Sequence, residues 1–410
     1  MTSLDVSYVR QHFPAFSEPS LKDWAHFENA GGSYTCKQVI HGLTTYYKSM
    51  KVQPYHAYPV AQQAGEAMDS SYTRLAEYLN VHADELHLGP STTQNTYVLA
   101  NAFKGMWQAG DEIIVTNQDH EANSGAWRKL EAEGIIVRQW SVNSDTGLLD
   151  LHELDQILSN KTKMVAYPHC SNVVAHWNPV KEINKKIHAA GAFSIVDGVA
   201  AAPHGFPNVA EVGADIYLFS LYKTWGPHLG LMTVKQSLMD QLANQGHFFH
   251  AGIWRKMLVP AGPDHAQIAS ASGIIDYLDA IYDHHFNGSA SPQERRQAVN
   301  HLFREHESRL LQRLLDWLKE RDDIRILGPD QWEQRAPTIS IHPLKKSITD
   351  IQAVLTEHKL MTGSAHFYAP RLLQAMNISP EEGALRMSFL HYTSSDEIEQ
   401  LIKGLSVALN

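Results

Sequence analysis

Three stretches of this sequence place a reactive or charged side chain where a buried strand should end. The apolar run Ile216-Tyr217-Leu218-Phe219-Ser220 breaks into Leu221-Tyr222-Lys223-Thr224-Trp225-Gly226-Pro227. A lone lysine there ordinarily snorkels out to water. Held in a dry pocket, where burial disfavours its charged form, it becomes a nucleophilic amine suited to imine formation with a carbonyl group. Phe193-Ser194-Ile195-Val196-Asp197-Gly198 sets a carboxylate at the end of a second such run. Asp197 reads either as a turn or helix cap, or as the partner of a buried cation such as a protonated ring nitrogen. His120 follows the strand-like residues 113–115, where an ordinary surface histidine is the plain alternative. Arg386 lies inside the apolar run 384–389 and needs an anionic partner, from the protein or from a substrate carboxylate. Gly89-Pro90-Ser91-Thr92-Thr93-Gln94-Asn95 opens a helix after a strand. Its free N–H groups and hydroxyls suit a phosphate, or simple N-capping. It is neither a Walker loop nor G-x-G-x-x-G. No H-E-x-x-H occurs, and Asp283-His284-His285 has no matching ligand cluster, so a metal site is unsupported.

Side chains of this kind need a scaffold that gathers strand ends. Strand candidates fall at residues 85–88, 112–116, 135–140, 164–167, 193–196, 216–220 and 229–234, alternating with helical segments. Several are apolar throughout, as strands buried on both faces should be. The alternation predicts an α/β fold with a mainly parallel seven-stranded sheet between helices. Ligands in such sheets bind at the carboxyl ends of the strands, where Lys223 falls. Helices are expected at about 38–51 and 64–79. The most linker-like stretch is Asn287-Gly288-Ser289-Ala290-Ser291-Pro292. Beyond it Val299, Leu302, Phe303, Leu310, Leu314 and Leu318 recur at helical spacing. Short strands at 324–327 and 338–341, a helix from Asp350 and a last helix opening on Ser394-Ser395-Asp396-Glu397 complete a smaller α+β domain. The expected organisation is an N-terminal arm (1–30) belonging to the small domain, a large domain (31–288) and a small C-terminal domain (289–410).

The composition fits a globular protein: 43% hydrophobic and 19% charged residues. A net charge of −10 without a basic cluster argues against nucleic acid as a partner. Two cysteines, Cys36 and Cys170, exclude a disulfide framework, and the start shows no signal-peptide pattern, so a cytoplasmic location is expected. No apolar run is long enough to span a bilayer, so no membrane partner is expected.

A phosphate cradle, an acid for a ring nitrogen, an imine-forming lysine and a carboxylate clamp are together the parts of a pyridoxal 5'-phosphate enzyme acting on an amino acid. The order and wording of the motifs carry the reading further. Val196-Asp197-Gly198, Phe219-Ser220-x-x-Lys223 with Gly226-Pro227, and His169-x-Ser171-Asn172-Val173 with Asn178-Pro179-Val180 resemble the class V aminotransferase group of fold-type I enzymes, in its cysteine desulfurase-like branch. The resemblance runs from about Phe27 to the C-terminus. It implies Lys223 as Schiff-base lysine and proton carrier, Asp197 on the ring nitrogen and His120 on the ring face. It implies Thr92, Thr93 and Ser220, with the Tyr222 hydroxyl, on the phosphate, Asn172 and Arg386 on the substrate carboxylate, and a homodimer. His366, Tyr368 and His391 are candidates to line the side-chain pocket.

The sequence also departs from that pattern. The desulfurases carry a nucleophilic cysteine on a loop that corresponds here to residues 362–370, which hold none. Ala200 stands where the family has a glutamine, Tyr222 where a phosphate-binding histidine is common, and the partner-subunit threonine is replaced near Gly262-Pro263-Asp264. A persulfide mechanism needs a thiolate. The expected activity is therefore cysteine-independent: a carbon–sulfur lyase or sulfinate-eliminating enzyme, with a class V aminotransferase or epimerase, or a non-catalytic relative, as alternatives.

Overall fold

In the computed structural model, which describes residues 3–410, the seven expected strands all form. They are β1 (Leu86–Gly89), β2 (Glu112–Thr116), β3 (Ile136–Trp140), β4 (Thr162–Pro168), β5 (Phe193–Asp197), β6 (Ile216–Ser220) and β7 (Gly230–Val234). One sheet joins them in the order β1-β7-β6-β5-β4-β2-β3. The strands from β3 to β6 pair in parallel, whereas β7 runs antiparallel to both β6 and β1. The continuous apolar runs explain the burial. Ile113 and Val115 of β2 pack with Trp127 and Met164 on one face, and Ile114 packs with Trp140 and Val165 on the other. Helix α1 (Thr92–Phe103) leaves β1 directly, its N-cap Ser91 Oγ accepting from Gln94 N–H at 3.2 Å.

Because β1 and β2 through β6 all point the same way, their carboxyl ends share one edge of the sheet. Strand order reverses between β2 and β4, so the loops leaving those two strands part and open a crevice there.

The second sheet is antiparallel, in the order β10-β11-β9-β8, from β8 (Ile324–Leu327), β9 (Thr338–Pro343), β10 (Gly363–Ala365) and β11 (Ala384–Ser388). Helices Ile348–Glu357 and Ser395–Leu409 cover it, the latter opened by the expected capping box of Ser394 and Glu397. The arm supplies a partner: Ala25 and His26 pair in parallel with Leu360 and Met361, and Glu28 bridges to Ser388. Ala25 and Phe27 belong to the small-sheet core, while Leu4, Val9 and Phe13 pack into the large one.

The linker-like stretch ends at Ser291, which caps a 28-residue helix, Pro292–Lys319. At 1.5 Å per residue it is about 42 Å long. Its first half (Val299, Leu302, Phe303) packs on the large-sheet core and its second (Leu310, Leu314, Leu318) on the small one. Among the described residues no helix is long and apolar enough to cross a membrane.

Candidate active site

A cavity of about 800 Å³ lies at the carboxyl ends of the large-sheet strands, roofed by β10, the loop after it and Arg386. Lys223, His120, Thr92, Thr93, Asp197, Ser220, Tyr222, Asn172, Arg386 and His366 all line it. Tyr368 does too, but His391 does not. His391 is fully buried elsewhere, stacked 3.7 Å from the Phe303 ring and hydrogen-bonded to Tyr277 at 2.6 Å.

Each side chain is aimed by local structure. Ser220 ends β6, and the next three residues form one 3₁₀ turn that presents Lys223. Trp225 then takes a left-handed φ of 59°, held by its N–H donating to Ser33 Oγ at 2.9 Å. Lys223 is half-buried, facing the cavity. Desolvation, reinforced by Arg386, lowers its amine from 10.5 to about 8, although Asp197 and Glu28 oppose the shift. Asp197 ends β5 with Oδ1 accepting from Val199 N–H at 2.8 Å, and burial raises its carboxyl to about 6.

The loop after β2 is shaped by Asp119, which accepts from Thr116 Oγ1 at 2.5 Å and from Asn123 Nδ2 at 3.0 Å. It delivers His120 with Nδ1 accepting from Ala122 N–H at 3.0 Å, which leaves the proton of the neutral ring on Nε2. Desolvation, with Lys223 and Arg386 adding, lowers His120 to about 3.

At the start of α1 the N–H groups of Thr92 and Thr93 precede the helical ladder. The Thr92 hydroxyl is buried without a partner. Gly230 lets β7 run against this point, since a Cβ there would collide with the Ser91 carbonyl and the Thr92 nitrogen. Tyr222 packs its hydroxyl against Gly32, with its ring 4.9 Å from His228.

Asn172 follows β4 and donates from Nδ2 to the Phe367 carbonyl at 2.9 Å, leaving its buried Oδ1 unpartnered. That bond anchors the 362–370 loop, where Phe367 and Tyr368 both have positive φ. The Tyr368 carbonyl accepts from Glu121 N–H at 2.7 Å and its ring lies 5.2 Å from His120. His366 is exposed, its Nδ1 accepting from Tyr368 N–H at 3.1 Å.

Glu28 and Cys170 are cavity residues that sequence reasoning did not pick out. Glu28 reaches in from the arm and pairs with Arg386 Nη2 at 2.7 Å. Its only signal was an acid immediately before the Asn29-Ala30-Gly31-Gly32 turn. Cys170 also lines the cavity. Its sulfur donates to the Ala175 carbonyl at 3.3 Å and burial pushes the thiol well up, so it holds its proton.

These groups suit pyridoxal phosphate: a buried orphan hydroxyl and free N–H groups for a phosphate, a carboxylate at a strand end for a ring nitrogen, and an amine lowered toward neutrality. Among the described residues no cluster of three or more His, Cys, Asp or Glu side chains is arranged to hold a metal.

Comparison with known proteins agrees. The aminotransferase class-V family model matches residues 25–250 and 297–401. The chain belongs to the class-V aminotransferase family. It is 32% identical over its whole length to the aminotransferase-like protein FGM3 of Gibberella zeae, covering 99% of that protein. It is 28% identical to the cysteine desulfurase-like protein ustD of Aspergillus flavus, over 98% of this chain and 90% of the other. The cysteine desulfurase of Thermococcus onnurineus NA1, solved without cofactor, shares the fold at a TM-score of 0.84 and 20% identity, with 98% of each chain covered. The chain is thus a class-V aminotransferase family member whose relatives include cysteine desulfurase-like proteins.

Proposed function

We propose that the enzyme cleaves the bond to a β-substituent of an amino acid, as a carbon–sulfur lyase or by eliminating sulfinate, without a cysteine nucleophile. The observation that carries this is the make-up of the roof. Residues 362–370 bring His366, Phe367 and Tyr368 to the cavity and no thiol, and Cys170 keeps its proton. Pyridoxal phosphate, when bound, supplies a carbonyl carbon to hold the substrate nitrogen and a ring that accepts the electron pair released at Cα.

The chain's own residues do the rest. Lys223 holds the cofactor and moves the proton at Cα; an amine lowered to about 8 has a usable unprotonated share at neutral pH. Asp197, ionised above about pH 6, keeps a proton on the ring nitrogen. His120, neutral at any working pH, covers the ring face. Thr92, Thr93, Ser220 and Tyr222 bind the phosphate. Asn172 and Arg386 orient the substrate carboxylate, and His366 and Tyr368 meet its side chain. The exposed stretch containing Phe248 (88% exposed) and Phe249 (60%) supports a homodimer as the working form.

A panel of cysteine, cysteine sulfinate, alanine and aromatic amino acids tests the reaction. Alanine with sulfite, or pyruvate with sulfide, is expected, with no sulfur left on the protein. A protein persulfide overturns the cysteine-independent reading. A keto acid formed by amino transfer favours transamination, which the same Lys223 serves and which the name of the 32%-identical relative suggests. Borohydride trapping is expected to fix the cofactor on Lys223.

A further inference from the structure

Arg386 already holds a carboxylate of its own chain. Its Nη2 donates to Glu28 Oε1 at 2.7 Å and its Nη1 to the Asn172 carbonyl at 3.1 Å. The Phe367 ring centre lies 3.9 Å from its guanidinium carbon. Arg386 is 3% exposed and its Nε is buried without a partner. Glu28 is held less completely. Its backbone is pinned beside Ser388, but its side chain is 30% exposed and Oε2 is buried without a partner.

The slot is nevertheless shaped for that carboxylate. A Cβ on Gly31 would stand 2.6 Å from Oε1, and one on Gly363, the residue paired with Arg386 across the sheet, would collide with Oε2. Leaving a guanidinium this deeply buried without a counter-charge is strongly unfavourable. Glu28 provides one at the edge of the cavity.

We infer that Glu28 is an internal occupant of the carboxylate site: it neutralises Arg386 while the site is free, and the carboxylate of an incoming amino acid displaces it. This deepens the proposed function and rests on Arg386 being the clamp for that carboxylate. No covalent bond changes; one ion pair replaces another, and the Glu28 side chain turns toward cavity water. The Asn172 carbonyl and Phe367 ring keep the guanidinium in place, so the carboxylate moves and the arginine stays. Apparent affinity for a carboxylate is then reduced by the fraction of time that Arg386 is free. Glu28 thereby acts as a positioning residue that sets the threshold for substrate entry.

The test uses holoenzyme and two probes, propionate and its neutral isostere propionamide, titrated by thermal shift. Glu28→Gln is expected to bind propionate about tenfold more tightly, the factor for an arginine that is free about one-tenth of the time. Propionamide binding should not change, and Arg386→Gln should lose the response to propionate. In Glu28→Gln the KM of any amino acid that is turned over should fall by a similar factor with kcat retained.

Propionate affinity unchanged or weaker in Glu28→Gln, with Arg386→Gln still losing the response, overturns the inference and leaves the clamp assignment standing. Propionate binding that survives in Arg386→Gln overturns the clamp assignment itself. Should Glu28→Gln not fold, Glu28→Asp carries the same comparison, because its shorter side chain cannot keep the 2.7 Å contact.

Discussion

Replacing Lys223 with methionine should make the cofactor-free protein more stable. Burial takes the amine from 10.5 to about 8. At about 1.4 kcal/mol per pH unit, the native state at pH 7 carries a cost of about 3 kcal/mol for this proton. Lys223 is only half-buried and faces a cavity that water can enter, so about 2 kcal/mol is a fairer figure. A chain of this size has an unfolding entropy of about 0.9 kcal/mol/K, which converts the gain to about 2 °C. The sign depends on pH in a defined way. Below about 8 both states keep the proton and the cost is whole. Between about 8 and 10.5 the native state releases its proton first and the cost shrinks; above 10.5 it is gone. Thermal melts of the two cofactor-free proteins, wild type and Lys223→Met, at about pH 7, 8.5 and 10 provide the assay. A methionine variant no more stable at pH 7, or one whose advantage persists undiminished as the pH approaches 10.5, would refute the idea that the lysine is held against its solvation preference.

Two further outcomes follow from the same geometry. Asp197 has a native carboxyl near 6 against 3.8 unperturbed, so it is an anion above about pH 6 and is neutralised below it. Cofactor retention in the wild type should therefore fall as pH drops through about 6, and Asp197→Asn should lose that step. Equilibrium dialysis against pyridoxal phosphate at several pH values reads the first effect. Gly230→Ala should push the start of α1 away from β7, because its Cβ has no room beside Ser91 and Thr92. Cofactor should then dissociate more readily, with a stability loss of about 1–3 kcal/mol by denaturant titration; unchanged retention would show that this close approach does not shape the phosphate end.

Much of this was legible because burial on both faces writes an apolar run; the expected spans match all seven strands to within two residues at either end, the largely exposed β3 included. What a run does not encode is direction. β7 runs antiparallel to both its neighbours, and the other four pairings are parallel, so the sheet is mainly parallel as expected. Lys223 and Asp197 were legible because an ionisable group closing an apolar run is costly and therefore conspicuous. Glu28 was not, because a glutamate in a polar turn looks ordinary until the fold brings Arg386 beside it, 358 residues away. The long helix was legible as a helix. Its bridging of two cores was not, since one apolar stripe looks the same whichever sheet it covers.

The pairing of the arm with the last third of the chain also has a consequence for how the protein is made. Ala25 finds its strand partner only at Leu360, Glu28 its neighbour at Ser388, and Arg10 its carboxylate at Glu397. During synthesis the large sheet can assemble while these early residues remain without partners. The small sheet, and with it the charge pair at the mouth of the cavity, closes only after Ala384–Ser388 has left the ribosome. The cavity is therefore completed late, by joining two residues made 358 positions apart.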